Sequence, residues 1–417
     1  MTNIAKNGMQ KRKPRVLTTG SGLNTKVRMR FDGLPLYQIS QRTVVTESFY
    51  ARFLAYFTSD GEGTDIRNRR TWLHSLPVLT TDGTNEALVL AVQATASVYC
   101  AVESNNLALT QYSRKLYGEA LRKHYQFVSR SQNKYEVTVH MVSTSVLFSF
   151  FEAIQATNAE AYRSHIYGAV RMLEVTKPKQ CSGGALCQIF YHIRTQMVFI
   201  NLTKDGKETP FQVQRILYGS LEYIRLPVFQ RLMSHVSYLV EENAARESGA
   251  SQQPISPKTY TEVATNIEEL WLEYVGKAAS NGTSVFWQDV KTGAMQFRDE
   301  FTALTVAYFS AARILLCIVA SQYTNSLSTM PHQHSIILQA SRYLQTYTNG
   351  FAYMRMATPL LLVALHSPAS SQREKATACF EHWINGPMSG ISALALERIQ
   401  RHLAPEKQLT DEAGSAE

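Results

Sequence analysis

The sequence predicts an all-α fold: a large antiparallel multi-helix bundle or array behind a basic N-terminal tail. Three observations predict it. Apolar residues recur three or four apart in segment after segment, as in Leu88, Ala91, Val92, Ala96 and Tyr99. No run alternates with period two over enough residues to demand a sheet. Helix-opening and helix-closing residues also punctuate the chain at short intervals. Each periodic segment alone leaves an apolar stripe in water, and stacking the segments antiparallel buries the stripes against one another.

Residues 1–44 are polar and basic, broken by Gly8, Pro14, Gly20, Gly22, Gly33 and Pro35, and are expected to be disordered. A first helix is predicted over 46–58, where Phe49, Phe53 and Phe57 repeat every fourth residue. Gly61, Gly63 and the arginines Arg67, Arg69 and Arg70 make a loop with a solvated edge. Trp72 to Leu79, with Pro77 inside it, reads as an extended lead into the turn Thr81-Asp82-Gly83. Two amphipathic helices follow, the second carrying Leu109, Tyr112, Leu116, Ala120, Phe127 and Val128.

Asn133 and Glu136 have capping-box spacing ahead of Met141, Val142, Leu147, Phe150 and Phe151. Asn158 with Glu160 opens the next helix, whose buried face holds Tyr162, Ile166, Ala169, Val170 and Leu173, and Lys177-Pro178 ends it. Ala185 to Leu202 is periodic through Ile189, Phe190, Ile193 and Met197, and Gly206 to Pro210 breaks it. A helix over 228–246 gives way to a polar loop from Glu247 to Pro257, and Ser256-Pro257 restarts helix with a cap followed by proline. Over 296–322 the apolar residues run nearly all round, which marks a central helix. Segments 333–349, 357–366 and 371–385 follow, the last with a capping box at Ser371 and Glu374. Gly386-Pro387 and Gly390 introduce a final helix to about 403, and residues 404–417 are expected to be a disordered acidic tail. The helical part thus spans 45–403, with sub-lobes at 45–246 and 256–403.

The 417 residues are 45% apolar, enough for a large core. The net charge of +9 is local: Lys6, Lys11, Arg12, Lys13, Arg15, Lys26, Arg28 and Arg30 fall in the first thirty residues, which hold no Asp or Glu. After position 30 the balance is 34 basic to 33 acidic residues. A groove that neutralises many phosphates shifts that balance, so direct DNA contact by the helical body is disfavoured. Phe301 to Ala320 is long enough to span a bilayer but carries Arg313 near its middle, at a cost of about 2.5–3.5 kcal/mol, so a buried helix is expected and no membrane association. The five cysteines are scattered inside apolar patterns and read as reduced residues of an intracellular protein.

The succession Trp72 to Leu79, Tyr112, Tyr117, Ala120 and Leu121, then Val146, Leu147, Phe148, Phe150 and Phe151, then His165, Gly168, Ala169 and Leu173, resembles the regulatory (middle homology) domain of fungal zinc-cluster transcription factors. Thr358-Pro359-Leu360, Ser371-Gln372-Arg373 and Gly390-Ile391 extend the likeness over residues 45–400. The resemblance implies a nuclear regulator of a metabolic or secondary-metabolite gene cluster, whose helical domain holds an activation region in check and responds to partners or metabolites. Members carry an N-terminal cluster of six cysteines that binds two zincs and places a helix in the major groove. Here no cysteine precedes Cys100, so that module is expected to be missing, with Leu23 to Phe31 similar to the linker that follows it. Either an upstream exon supplies it, or the protein works through a DNA-binding regulator or other partners in the transcription machinery. Homodimerisation is left open.

Lys11, Arg12, Lys13 and Arg15, around Pro14, have the charge density that nuclear import receptors read, and they are the candidate nuclear-localisation residues. No enzyme, cofactor or metal site is expected. Gly20-Ser21-Gly22 before Lys26 lacks the ending of a phosphate loop, and Gly386-Pro387-Met388-Ser389-Gly390 puts its serine one place late for a nucleophile elbow. Cys181, Cys187 and His192 have no zinc-knuckle spacing, His332 and His334 read as surface loop residues, and His165 as a satisfied structural histidine. The alternative function is a cytoplasmic helical scaffold or adaptor.

Overall fold

Helices form where the apolar spacing places them, and in the computed structural model they account for nearly all the regular structure of the described residues. These are 39–58, 71–81, 85–131, 137–176, 184–204, 226–249, 255–320, 330–346 and 350–414. In chain order the helices are α1 (Ile39–Phe57), a 3-10 turn (Trp72–Ser75), α2 (Leu76–Thr81), α3 (Glu86–Glu103), α4 (Leu107–Ser131), α5 (Val139–Ile154), α6 (Ala159–Glu174) and α7 (Gly184–Thr203). Then come α8 (Val228–Glu247), α9 (Pro257–Ser280), α10 (Glu300–Val319), α11 (Met330–Thr346), α12 (Gly350–His366), α13 (Ser370–Trp383) and α14 (Ser389–Gly414).

The caps explain where several helices start. Asn85 Oδ1 accepts from Leu88 N at 3.0 Å, Asn158 Oδ1 from Ala161 N at 2.8 Å, and Asp299 Oδ1 from Thr302 N at 2.7 Å. Ser256 Oγ accepts from Thr259 N at 3.1 Å with Pro257 at the first helical position, as the sequence predicts.

Several expectations are corrected. Trp72 to Leu79 is not extended: it forms the 3-10 turn and α2, because Pro77 falls in the first turn, where its missing N–H removes no helical bond. The cap of α5 is Thr138, whose Oγ1 accepts from Met141 N at 3.3 Å; Asn133 and Glu136 lie outside the described residues. Ser371 caps nothing, since α13 opens one residue earlier behind Ala369, whose N–H donates to Ser367 Oγ at 3.3 Å. α14 runs on to Gly414, past the expected boundary at 403. A short antiparallel hairpin, β1 (Phe286–Gln288) and β2 (Met295–Phe297), interrupts the helices, with Phe286 opposite Phe297.

Neighbouring helices pair as antiparallel hairpins, α3 with α4, α5 with α6 and α10 with α11. The chain does not part into lobes at 45–246 and 256–403. α12 packs on α7, and α14 returns to α5, α6 and α7, so that Thr43–Glu417 is one compact unit. Gly390 makes the closest of these returns. A Cβ there would land on the Glu152 carbonyl oxygen and lie 2.9 Å from its carbon, so only glycine lets α14 seat on α5. The helices α3 and α10 are apolar and long enough to cross a membrane, but 61% and 83% of those stretches are covered by protein. Arg313 on α10 leaves the core to pair with Glu268 at 2.8 and 3.0 Å.

Candidate functional site

Lys11, Arg12, Lys13 and Arg15 lie outside the described residues, as do Cys181, the arginines 67, 69 and 70, and the Gly20 to Lys26 stretch. Among the described residues no group of three or more His, Cys, Asp or Glu side chains is placed to hold a metal ion. Cys187 is a buried thiol outside any disulfide, and His192 stacks face to face on Phe150, 5.1 Å apart and 14° from parallel. His334 departs from the surface-loop expectation. It lies on α11, fully buried, with Nδ1 2.7 Å from the Met330 carbonyl.

What the core holds instead is a set of buried polar side chains, most of them met by a partner. His165 Nε2 lies 2.6 Å from Tyr117 Oη, and that ring stacks on Phe151 at 4.1 Å. His124 Nε2 lies 3.0 Å from Ser145 Oγ. Burial pushes both histidines down to about 4, and the proximity of His124 depresses His165 further, so both are neutral at pH 7. The structural reading of His165 therefore stands, while His124, on the α4 face, gave no sequence signal.

The buried arginines are met too. Arg163 and Arg398, with the partly exposed Arg401, converge on the C-terminal carbonyls of α7, where helix geometry leaves acceptors unused. Arg163 Nη2 donates to Thr203 O at 2.9 Å, Arg398 Nε to Leu202 O at 3.2 Å, and Arg401 Nη2 to Thr203 O at 3.4 Å. Glu160 and Glu247 complete the charge balance at 2.6 and 2.7 Å from Arg163 and Arg398.

Arg355, which is only partly buried, sits where α12 meets α7 and α10. Four residues beyond it Pro359 interrupts α12 and has no N–H to give the Arg355 carbonyl. The hydroxyl of buried Tyr308, on α10, donates to that carbonyl at 3.0 Å in its place. The guanidinium itself lies over the Phe351 ring, Cζ to centroid 5.1 Å, and among the described residues no Asp or Glu pairs with it. Its Nε is buried without an acceptor. Burial lowers its pKa to about 10, which leaves it charged at neutral pH.

Two ring nitrogens of the same core lack partners as well. His192 Nδ1 and Trp72 Nε1 are buried without partners, on side chains each 1% exposed. The His192 ring lies 5.6 Å from Phe351 and 6.4 Å from Trp72, and burial together with the Arg355 charge holds it well below the usual histidine range. Phe150 packs edge-on to Phe351 at 5.7 Å and closes the aromatic wall. Sequence reasoning missed this group because its members come from four distant segments, and an arginine inside an apolar helix reads as one lapse in a pattern.

No family model, no curated protein and no solved structure matches this chain.

Proposed function

We propose that this chain is a nuclear regulator of the fungal transcription-factor type, acting on a metabolic or secondary-metabolite gene cluster through protein partners. One observation carries the reading. The separated stretches that resemble the fungal regulatory domain pack on one another in a single core: Trp72 and Phe150 beside His192, Tyr117 on Phe151 and His165, Thr358-Pro359 on α12, and Gly390 against Glu152. The charge distribution supports it as well, since the basic residues needed for import are concentrated at 11–15, apart from a nearly neutral helical body.

The test is the distribution of the tagged full chain in a filamentous fungus. Accumulation in the nucleus is the expected outcome. A protein that stays in the cytoplasm or enters mitochondria would sink the proposal. The second reading, a cytoplasmic scaffold or adaptor, draws on the large apolar side chains left in solvent: Leu272 at 69%, Trp287 at 48% and Val290 at 100% exposure.

A further inference from the structure

We propose that the outer edge of β1 is a dimerisation surface, on which a second copy of this chain adds its own β1 antiparallel and completes a four-stranded sheet. Residues along an antiparallel strand turn their backbone groups alternately toward and away from the neighbouring strand. Val285 O accepts from Arg298 N at 3.2 Å and Asp289 N donates to Ala294 O at 2.8 Å. Positions 285 and 289 therefore face β2, and so does Trp287 between them, opposite Gln296. The backbone groups of Phe286 and Gln288 face outward, and among the described residues none bonds to them. β2 is the sheltered strand: it lies against α10 and α11, and its Phe297 is 2% exposed.

An exposed strand is ordinarily guarded by lysine, proline, a bulge or a covering element. Phe286, Trp287 and Gln288 include no such guard and no charge, so the strand meets no like charge when it pairs with itself. A two-fold axis through Trp287 sets Phe286 of one copy opposite Gln288 of the partner subunit, and each such pair exchanges both backbone bonds. The Trp287 side chain, 48% exposed, then meets its counterpart across the axis and loses apolar surface to it. Charge favours a copy of this chain over another extended strand. Antiparallel pairing carries each hairpin tip, with exposed Lys291, to the C-terminal end of the partner's α9, the negative pole of that helix. Asp289 on the same tip is engaged in its own turn, where Oδ1 accepts from Lys291 N at 3.0 Å and Thr292 N at 2.8 Å. Pairing uses the open β1 edge of both copies, so association stops at two. The contact is small beside the roughly 1,000 Å² of a lasting interface, so the dimer forms reversibly.

The experiment is sedimentation of the purified full chain from about 1 to about 200 μM. The mass is expected to climb with concentration from one chain toward two and to level there. Trp287→Lys sets two cations face to face across the axis, and Gln288→Pro deletes an outward N–H while leaving the bonds to β2. Each should weaken association by at least about tenfold. Leu107→Lys, at an apolar residue of α4 that is 72% exposed, should leave it unchanged. Both edge substitutions fall on exposed side chains, circular dichroism checks that the helices persist, and if one variant unfolds the other decides. A single chain at every concentration overturns the proposal, as does a dimer that a folded edge variant leaves intact. Equal weakening by Leu107→Lys overturns it by showing general apolar association, and growth beyond two chains overturns the two-fold pairing. Mass in solution is read without reference to the nucleus, so this inference and the proposed function can fail separately.

Discussion

At Gly390 one hydrogen atom decides whether two helices can touch. The position a Cβ would take is filled by the Glu152 carbonyl, and backbone cannot rotate aside as a flexible side chain can. Gly390→Ala should therefore push α14 off α5 and cost at least the upper end of the usual overpacking range, about 3 kcal/mol, measured by urea unfolding. Gly168 is the natural control. It lies in α6 with open space where its Cβ would go, so Gly168→Ala should stabilise by about 0.5–1 kcal/mol through helix propensity. If both substitutions behave alike, the close approach at Gly390 is not what seats α14. Single residues of this kind are partly legible beforehand. Asn158 and Ser256 announce their caps because the partner N–H is three residues away, inside the reach of a local pattern. Gly390 is noticeable as a glycine, but its reason lies 238 positions upstream at Glu152, and no local pattern holds it.

In helix α12 a neighbouring element makes good a missing helical bond. Pro359 leaves the Arg355 carbonyl without its helical donor, and Tyr308 from α10 takes over that bond. Tyr308→Phe should leave a buried carbonyl orphaned and cost about 1–3 kcal/mol. In a Pro359→Ala background the helix can supply its own N–H, so the cost of Tyr308→Phe should shrink. A double-mutant cycle reads the coupling, and equal costs in both backgrounds would show that the hydroxyl is not a substitute for the missing helical bond. Elements were mostly legible because a 3.6-residue apolar period over 16 or more residues, as in α5 and α10, has no other economical structure. The failures came from short pieces. Trp72 to Leu79 reads as an extended lead, whereas Pro77 sits in the first turn of a helix, and the three-residue strands of the hairpin are too brief to alternate.

For the molecule as a whole, burial of neutral histidines sets the response to acid. His124 and His165 are held down to about 4 and His366 to about 3, in each case first by burial. Above pH 6.5 folded and unfolded chains are both neutral at these positions, and they contribute nothing to pH dependence. Below it the unfolded chain binds protons that the fold refuses, so stability falls by up to about 1.4 kcal/mol per pH unit for each histidine, until the folded groups titrate near pH 4. Urea midpoints at pH 7.5, 6.5 and 5.5 should be level over the first interval and drop over the second. A level midpoint across both intervals would contradict the assignment.

The same scale joins the helical body to its tail. On the proposed function, the nearly neutral helical body is the frame that partners meet, and the basic residues at 11–15 are the nuclear address. The function is the least legible part of the sequence, because resemblance in apolar spacing speaks of packing, and side chains such as Trp72, His192 and Phe351 become neighbours only once the helices are assembled.

The most direct measurement is the nuclear-to-cytoplasmic ratio of the tagged full chain, compared with a variant in which Lys11, Arg12, Lys13 and Arg15 are all replaced by alanine. The account predicts a ratio well above one for the intact chain and close to one for the variant, with both proteins present at similar levels. A ratio that is the same for the two, or an intact chain that never enters the nucleus, would contradict it.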